Sequence, residues 1–118
     1  MLGFFQKKSQ KSPSVEQALI LTIQFDNFNE FGSISDRKDI TELEKNIENV
    51  LPPNAELDGH EFGGGECTIY MYGLSADAIW KSVKPILKEC RFEHIDVMLL
   101  YGSAGDPQAR ERSFTLRK

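Results

Sequence analysis

Two amphipathic helical stripes, each enclosed by segments of alternating polarity, constrain the fold of this chain more than any other feature. Residues 19–25 alternate apolar and polar side chains, which indicates a strand with one strongly buried face. Residues 40–51 then repeat apolar side chains at the helical period, and the two prolines that follow end this helix. The helix is expected to begin near Ser35 or Asp36, because both residue types are favourable N-caps.

The second half of the chain begins with a predicted hairpin. Residues 55–62 predict a weaker strand at an edge of the sheet, and residues 66–72 predict a second strand with alternating faces. The three glycines at 63–65 predict the turn that joins them, because glycine adopts the backbone angles of tight turns without strain.

A second helix and a fourth strand follow the hairpin. Ser75 is the predicted N-cap, and the apolar stripe of the helix runs as far as Cys90. Pro85 lies inside this stripe and is expected to kink the helix. Residues 95–101 predict the fourth strand, and residues 108–118 predict either an extra strand or a helical turn followed by extended chain.

The order β-α-β-β-α-β predicts an α+β fold of the ferredoxin-like kind. Right-handed crossovers around two strand–helix–strand units place both helices on one face of a four-stranded antiparallel sheet. The C-terminal segment is the candidate for an additional strand. The expected domain organisation is a flexible basic arm at residues 1–14 and a single α+β domain at residues 15–118.

Charge is distributed unevenly between these two parts. The chain of 118 residues has a net charge of −4, but residues 1–14 contain three lysines and no acid, so residues 15–118 carry −7. A body this acidic is repelled by phosphate, which disfavours nucleic-acid binding and favours a protein partner with a basic surface. We find no apolar run long enough for a membrane span and no export signal, so we expect a cytoplasmic protein without membrane contact.

The predicted topology gathers acids, Asp36 among them, and both histidines at the hairpin end of the domain, where they form an acidic pole. Clustered charge of this kind is typical of a solvated rim or of a surface that steers a basic partner. His60 with Asp58 and His94 with Asp96 are each two residues apart, so each pair is expected to share a strand face. This is a weak metal-ligand pattern, and no metal or cofactor is predicted. The candidate partner-binding residues are Glu30, Asp58, His60, Glu61, Glu66, Glu93 and His94.

The sheet face turned away from the helices is the second candidate surface. Thr22, Gln24, Tyr70 and Tyr72 are expected there together with several apolar side chains, so the face is too apolar to stay bare in water. The C-terminal segment, the N-terminal arm or a second copy of the chain is expected to cover it. Pairing of two such faces would give a homodimer of the α+β-barrel kind, some of which bind small ligands or act as small enzymes.

No catalytic set of recognisable spacing is present. No Ser/His/Asp or Cys/His arrangement occurs, and the glycine run at 63–65 is followed by a strand and not by the helix of a phosphate-binding loop. Cys67 and Cys90 are predicted to be packed thiols, because a helix-on-sheet contact separates their backbones too far for a disulfide.

The segment from Glu61 to Gly73, EFGGGECTIYMYG, resembles a stretch in small bacterial proteins of unassigned function. The similarity extends over residues 55–118 and includes the loop at Tyr101-Gly102. The resemblance implies no catalytic or binding residue.

Two functions are therefore carried forward as hypotheses. The first is a small non-enzymatic binding module, in its most concrete form an acidic immunity or inhibitor protein that neutralises a basic toxin or nuclease. The second is a dimeric α+β-barrel protein that binds a ligand, or acts as a small enzyme, through the open sheet face. A metal-dependent activity through His60 and His94 is a weaker third hypothesis.

Overall fold

The computed structural model describes residues 16–26, 29–103 and 106–118, so the predicted arm at residues 1–14 lies outside the described residues. The α+β class is confirmed: the described residues form two helices and a sheet of five strands, not four. The elements are β1 (Gln17–Gln24), α1 (Ile34–Val50), β2 (Glu56–Gly63), β3 (Glu66–Gly73), α2 (Ala76–Glu89), β4 (His94–Leu100) and β5 (Glu111–Thr115).

The five strands form one antiparallel sheet in the order β2-β3-β1-β4-β5. β1 is the central strand, and β2 and β5 form the two edges. The C-terminal segment is the extra strand and not a helical turn, because β5 pairs with β4 from Leu100↔Glu111 to Asp96↔Thr115. The β4–β5 pairing therefore widens the sheet and does not place β5 across either of its faces.

Both helices cover the same face of the sheet. The buried side chains of α1 and α2 join one cluster with the odd-numbered residues of the three central strands. Side chains alternate along a strand, so the even-numbered residues of β1, β3 and β4 point to the opposite face. The largest fully buried members of the core are Leu19, Leu21, Ile23, Ile40, Ile47, Ile69, Met71, Ile79, Val83, Leu87, Ile95 and Leu99.

Local hydrogen bonds explain where the helices begin. The prediction of Ser35 or Asp36 as the first cap was wrong by two or three residues, because Ser33 is the N-cap of α1. The Ser33 hydroxyl accepts from the Asp36 amide at 3.0 Å, and the Asp36 carboxylate accepts from the Ser33 amide at 2.9 Å. This reciprocal capping box satisfies two donors that the helix itself leaves unpaired. Ser75 caps α2 as predicted, and Pro85 lies inside that helix.

The hairpin between β2 and β3 turns on glycine. Gly64 and Gly65 have φ of +62° and +82°, the left-handed region that a two-residue hairpin turn requires and that glycine adopts without strain. The turn is also tied to the loop after β1, because the Gly65 amide donates to the Glu30 carbonyl at 2.9 Å and the Phe25 amide donates to the Gly65 carbonyl at 3.0 Å. The hairpin end of the sheet is therefore fixed to the segment that leads into α1.

Candidate functional site: an acidic sheet face

The strand residues that point away from the helices form a regular grid, which we call the open face. Strand pairing aligns them in four rows across the sheet, from β2 to β5. The rows are Glu56–Tyr72–Ala18–Leu100–Glu111, Gly59–Tyr70–Ile20–Met98–Ser113, Glu61–Thr68–Thr22–Asp96–Thr115 and Gly63–Glu66–Gln24–His94. Apolar and aromatic side chains dominate the first two rows, and polar side chains dominate the two rows nearer the hairpin.

The open face carries most of the excess negative charge of the body. Its five carboxylates are Glu56, Glu61, Glu66, Asp96 and Glu111, and none of its strand residues is lysine or arginine. These five charges account for −5 of the net −7 of residues 15–118, which leaves −2 for the remainder. The basic side chains of the body lie on the helices, on the helix-facing side of β5 and in the connecting segments, with Arg117 following β5 at the margin of the face.

Two tyrosines in the apolar rows have acids close to their phenol groups. The Tyr70 hydroxyl donates to Glu61 Oε1 at 2.9 Å. Burial, the hydrogen bond to Glu61 and the charge of Glu61 raise the pKa of Tyr70 to about 12. Burial and the charges of Asp58 and Glu16 raise the pKa of Tyr72. Both rings are half-buried, so they present apolar surface while acids surround their phenol groups.

Raising the pH above the ordinary tyrosine pKa should destabilise the fold. Between pH 10.0 and about 12 the unfolded chain loses a proton that Tyr70 retains in the folded chain. Stability contributed by Tyr70 is therefore complete below pH 10.0 and is lost as the pH rises toward about 12. A pH titration of phenolate absorbance in the wild type should show a tyrosine ionising near pH 12, and this step should be absent in Tyr70→Phe. A step near pH 10.0 that disappears in the variant would contradict the assignment.

The acidic pole and the open face, predicted as separate surfaces, share residues. Of the predicted partner-binding residues, Glu61, Glu66 and His94 lie on the open face, in the same rows as Thr22 and Gln24. Register brings them together: Thr22 is the neighbour of Thr68, which pairs with Glu61, and Gln24 lies between Glu66 and His94. Sequence reasoning missed Glu56 and Glu111 as members of this surface. The alternation along β5 was the signal for Glu111, whereas Glu56 reaches this face only through the bulge in β2.

Glu30 and Glu93 lie at the hairpin end, beyond the grid. Glu30 is exposed and lines a cleft of about 550 Å³ together with Asp26, Glu66 and the turn glycines. Glu93 is exposed and directly precedes β4. Within residues 16–26, 29–103 and 106–118, no group of three or more His, Cys, Asp or Glu side chains is arranged to hold a metal ion. The cleft therefore extends the acidic surface around the edge of the sheet.

The prediction that Asp58 and His60 share a strand face was wrong. A β-bulge between Leu57 and Gly59 inserts one extra residue in β2 and shifts its alternation. His60 lies between the bulge and the turn and pairs with the core residue Ile69, so it lies on the helix side, where its Nδ1 is 2.7 Å from Glu44 Oε2. Asp58 lies near Tyr72, whose pKa its charge raises. His60 is a contact between β2 and α1 and does not belong to the open face.

Asp36, which the sequence placed in the acidic pole, serves the fold instead. Its side chain is 6% exposed and accepts from Arg91 Nη2 at 2.8 Å in addition to capping α1. Arg91 Nε also donates to Asp39 Oδ2 at 2.5 Å. These bonds raise the pKa of the Arg91 guanidinium. The same arginine borders a cleft of about 410 Å³ between the two helices, so its charge there is already matched by the two aspartates.

Cys67 is not an activated nucleophile. Cys67 is fully buried under the helices, and burial, with a smaller contribution from the charge of Glu44, raises its pKa to about 12. Both thiols are free, as expected, but Cys90 is only half-buried and lies at the C-cap of α2. A thiol with a pKa of about 12 is protonated at neutral pH, so Cys67 is a core side chain.

Comparison with protein-family models, with curated proteins and with solved structures returned no significant match to this chain. Neither α1 nor α2, the helices of the described residues, combines the length and the apolar character needed to cross a membrane.

Proposed function

We propose that this chain is a non-enzymatic protein-binding module that holds a basic protein partner on its open face. The observation that supports the proposal is the segregation of charge: five carboxylates and no lysine or arginine on a face whose two rows farther from the hairpin are apolar and aromatic. Protein interfaces commonly combine an apolar and aromatic centre with a polar rim, and complementary charge accelerates and orients association. The open face has both features.

The groove between β1 and β5 suits the side chain of a lysine or arginine. It has a volume of about 320 Å³, a floor that includes Ile20 and Met98, and Asp96 on its polar side. Long basic side chains lay their methylene stems on apolar surface while the charged head binds an acid. Thr115 Oγ1 donates to Asp96 Oδ1 at 2.7 Å, which fixes this carboxylate in place.

In its most concrete form, the module is an immunity or inhibitor protein that covers the basic surface of a toxin or nuclease. A small acidic domain that competes with nucleic acid for such a surface needs no catalytic group. The ferredoxin-like arrangement belongs to the same proposal: the order β2-β3-β1-β4 and the chain order β-α-β-β-α-β support it, with β5 added at the edge of β4.

The alternative is a homodimer of the α+β-barrel kind, built by pairing two open faces. The apolar rows around Tyr70 and Ile20 favour such a pairing. Charge opposes it, because two copies would bring ten carboxylates into one interface with no lysine or arginine from either sheet. A basic partner therefore fits this surface better than a second copy does.

The test begins with partner capture and ends with affinity. A photo-crosslinking residue at Ser113 on the open face should trap a basic protein from the native cells, whereas one at Lys81 on α2 should not. The purified partner is then titrated by calorimetry against the triple variant Glu61→Gln, Glu66→Gln and Asp96→Asn. We expect its affinity to fall by about 30-fold, or roughly 2 kcal/mol, because three complementary charges are lost.

The matched control is the triple variant Glu42→Gln, Glu48→Gln and Glu89→Gln, whose exposed acids lie on the helices. It removes the same charge, and we expect its affinity to change less than about threefold. An acidic partner, or equal losses in the two triple variants, would refute the proposal. A wild-type dimer at micromolar concentration that the open-face variant strengthens would favour the homodimer instead.

A further inference from the structure

The chain enters the sheet beside the open face. β1 is the central strand and begins at Gln17, so the segment before it leaves from the middle of the sheet and not from an edge. Glu16 lies two residues before Ala18, so by strand alternation it is on the same side of the sheet as the open face. Its charge acts on Tyr72, whose ring belongs to the first row of the grid. Residues 1–15 thus connect to the body next to the aromatic part of this surface.

The composition of residues 1–14 complements the open face in two ways. Lys7, Lys8 and Lys11 are the only charged side chains in this segment, opposite the five carboxylates of the face. Phe4 and Phe5 provide apolar side chains to match the apolar rows. The segment therefore has the chemistry that the proposed basic partner needs, although it belongs to the chain itself.

The segment is also long enough to extend along the open face. Extended chain spans at most about 3.3–3.6 Å per residue, so the six residues from Lys11 to Gln17 reach roughly 20 Å. The eight residues of β1 span a similar length, which is the height of the face.

We infer that residues 1–14 occupy the open face when no partner is bound, so that a basic partner must displace them. The inference rests on the proposed function, because it assigns an internal competitor to the same surface. Tethering gives such a segment an effective concentration in the millimolar range, so even weak docking fills the face. The affinity of the module for its partner is then set by the difference between the binding free energies of the partner and of residues 1–14 on this face.

The test uses full-length chains and a synthetic peptide with the sequence of residues 1–14. The variant Lys7→Glu, Lys8→Glu and Lys11→Glu should release the face. We expect the methyl resonances of Ile20 and Met98 to shift between wild type and variant, while those of Val83 in the core stay unchanged. High salt should move the wild-type resonances toward those of the variant, and dilution should not move them, because the contact is intramolecular.

The peptide then measures whether the face is free. We expect it to bind the lysine variant at least about tenfold more tightly than the wild type, whose face is already filled. The charge-matched control is Lys81→Glu, Lys84→Glu and Lys88→Glu on α2, which should bind the peptide as the wild type does.

Failure of the inference differs from failure of the proposed function. Equal peptide affinities for wild type and lysine variant, with unchanged Ile20 and Met98 resonances, would overturn the internal competitor and leave the basic-partner surface standing. A peptide that binds neither protein, or whose binding survives Glu61→Gln, Glu66→Gln and Asp96→Asn, would overturn both. If the wild-type resonances shift on dilution, the occupant of the open face is a second copy of the chain and not residues 1–14.

Discussion

Replacing Asp36 by alanine should lower the free energy of unfolding by roughly 3 kcal/mol. The substitution removes the carboxylate half of the capping box and the bond from Arg91 in one step. The Ser33 amide loses its partner at the first turn of α1, and the guanidinium loses a buried acceptor. Because α1 supplies Ile40, Leu43 and Ile47 to the core, loosening its start propagates into the packing against the sheet. Urea unfolding followed by circular dichroism measures the loss.

Asp39→Ala is the matched control for this prediction. It removes a carboxylate from the same Arg91, but the Asp39 side chain is 40% exposed and caps nothing, so we expect a loss below about 0.5 kcal/mol. The loss for Asp36→Asn should fall between the losses of the two alanine variants. The side-chain carbonyl of asparagine still accepts from the Ser33 backbone amide but carries no charge. Equal losses for Asp36→Ala and Asp39→Ala would show that the capping box does not contribute to stability.

Replacing Gly73 by alanine should cost roughly 2 kcal/mol, because there is no room for a methyl group at this position. An added Cβ would lie 2.9 Å from the Cβ of Ala55 and 3.2 Å from its Cα. The second contact is with backbone, which cannot rotate away, and Ile79 Cδ1 closes the other side at 3.2 Å. Gly73 is fully buried where β3 ends and α2 is about to begin, so the strain reaches both elements. Chemical denaturation is again the measurement.

Gly59→Ala tests whether the loss of stability at Gly73 comes from the lack of space or from replacing any strand glycine. Gly59 lies in the neighbouring strand, and a Cβ there would meet no atom within 4 Å, so we expect little change or a small gain in stability. Adding Ala55→Gly to Gly73→Ala removes the 2.9 Å contact and should recover about 1 kcal/mol relative to the sum of the single losses. If the losses of the two substitutions add strictly, the contact with Ala55 is not the cause of the loss at Gly73.

The arrangement of helices and central strands was predictable from the sequence because local periodicity dominates there. The stripe that contains Ile40 and Ile47 and the alternation around Ile69 both correspond to buried faces. The N-cap of α1 was misplaced although Ser33 and Asp36 have the spacing of a capping box, a stronger signal than the presence of Ser35. A reciprocal pair of bonds outweighs the cap propensity of a single residue.

The composition of the open face was only partly predictable. Alternation indicates which residues share a face of one strand, but the alignment of neighbouring strands depends on pairing between distant segments. Register decides that Glu61, Thr22 and Asp96 share a row. The bulge in β2 was missed as well, although a glycine inside a strand, here Gly59, often marks one. The inserted residue is the reason that Asp58 and His60 do not share the face that their spacing predicted.

That bulge also bears on how copies of the chain behave toward one another. A sheet with two edges presents unpaired backbone groups on which another sheet can add strands, and growth of this kind leads to fibres. One extra residue at the β2 edge breaks the regular spacing that an incoming strand would need. At the other edge, β5 has only five residues, among them the charged Glu111 and Arg112. The irregularity that separates Asp58 from His60 thus also works against edge-to-edge aggregation.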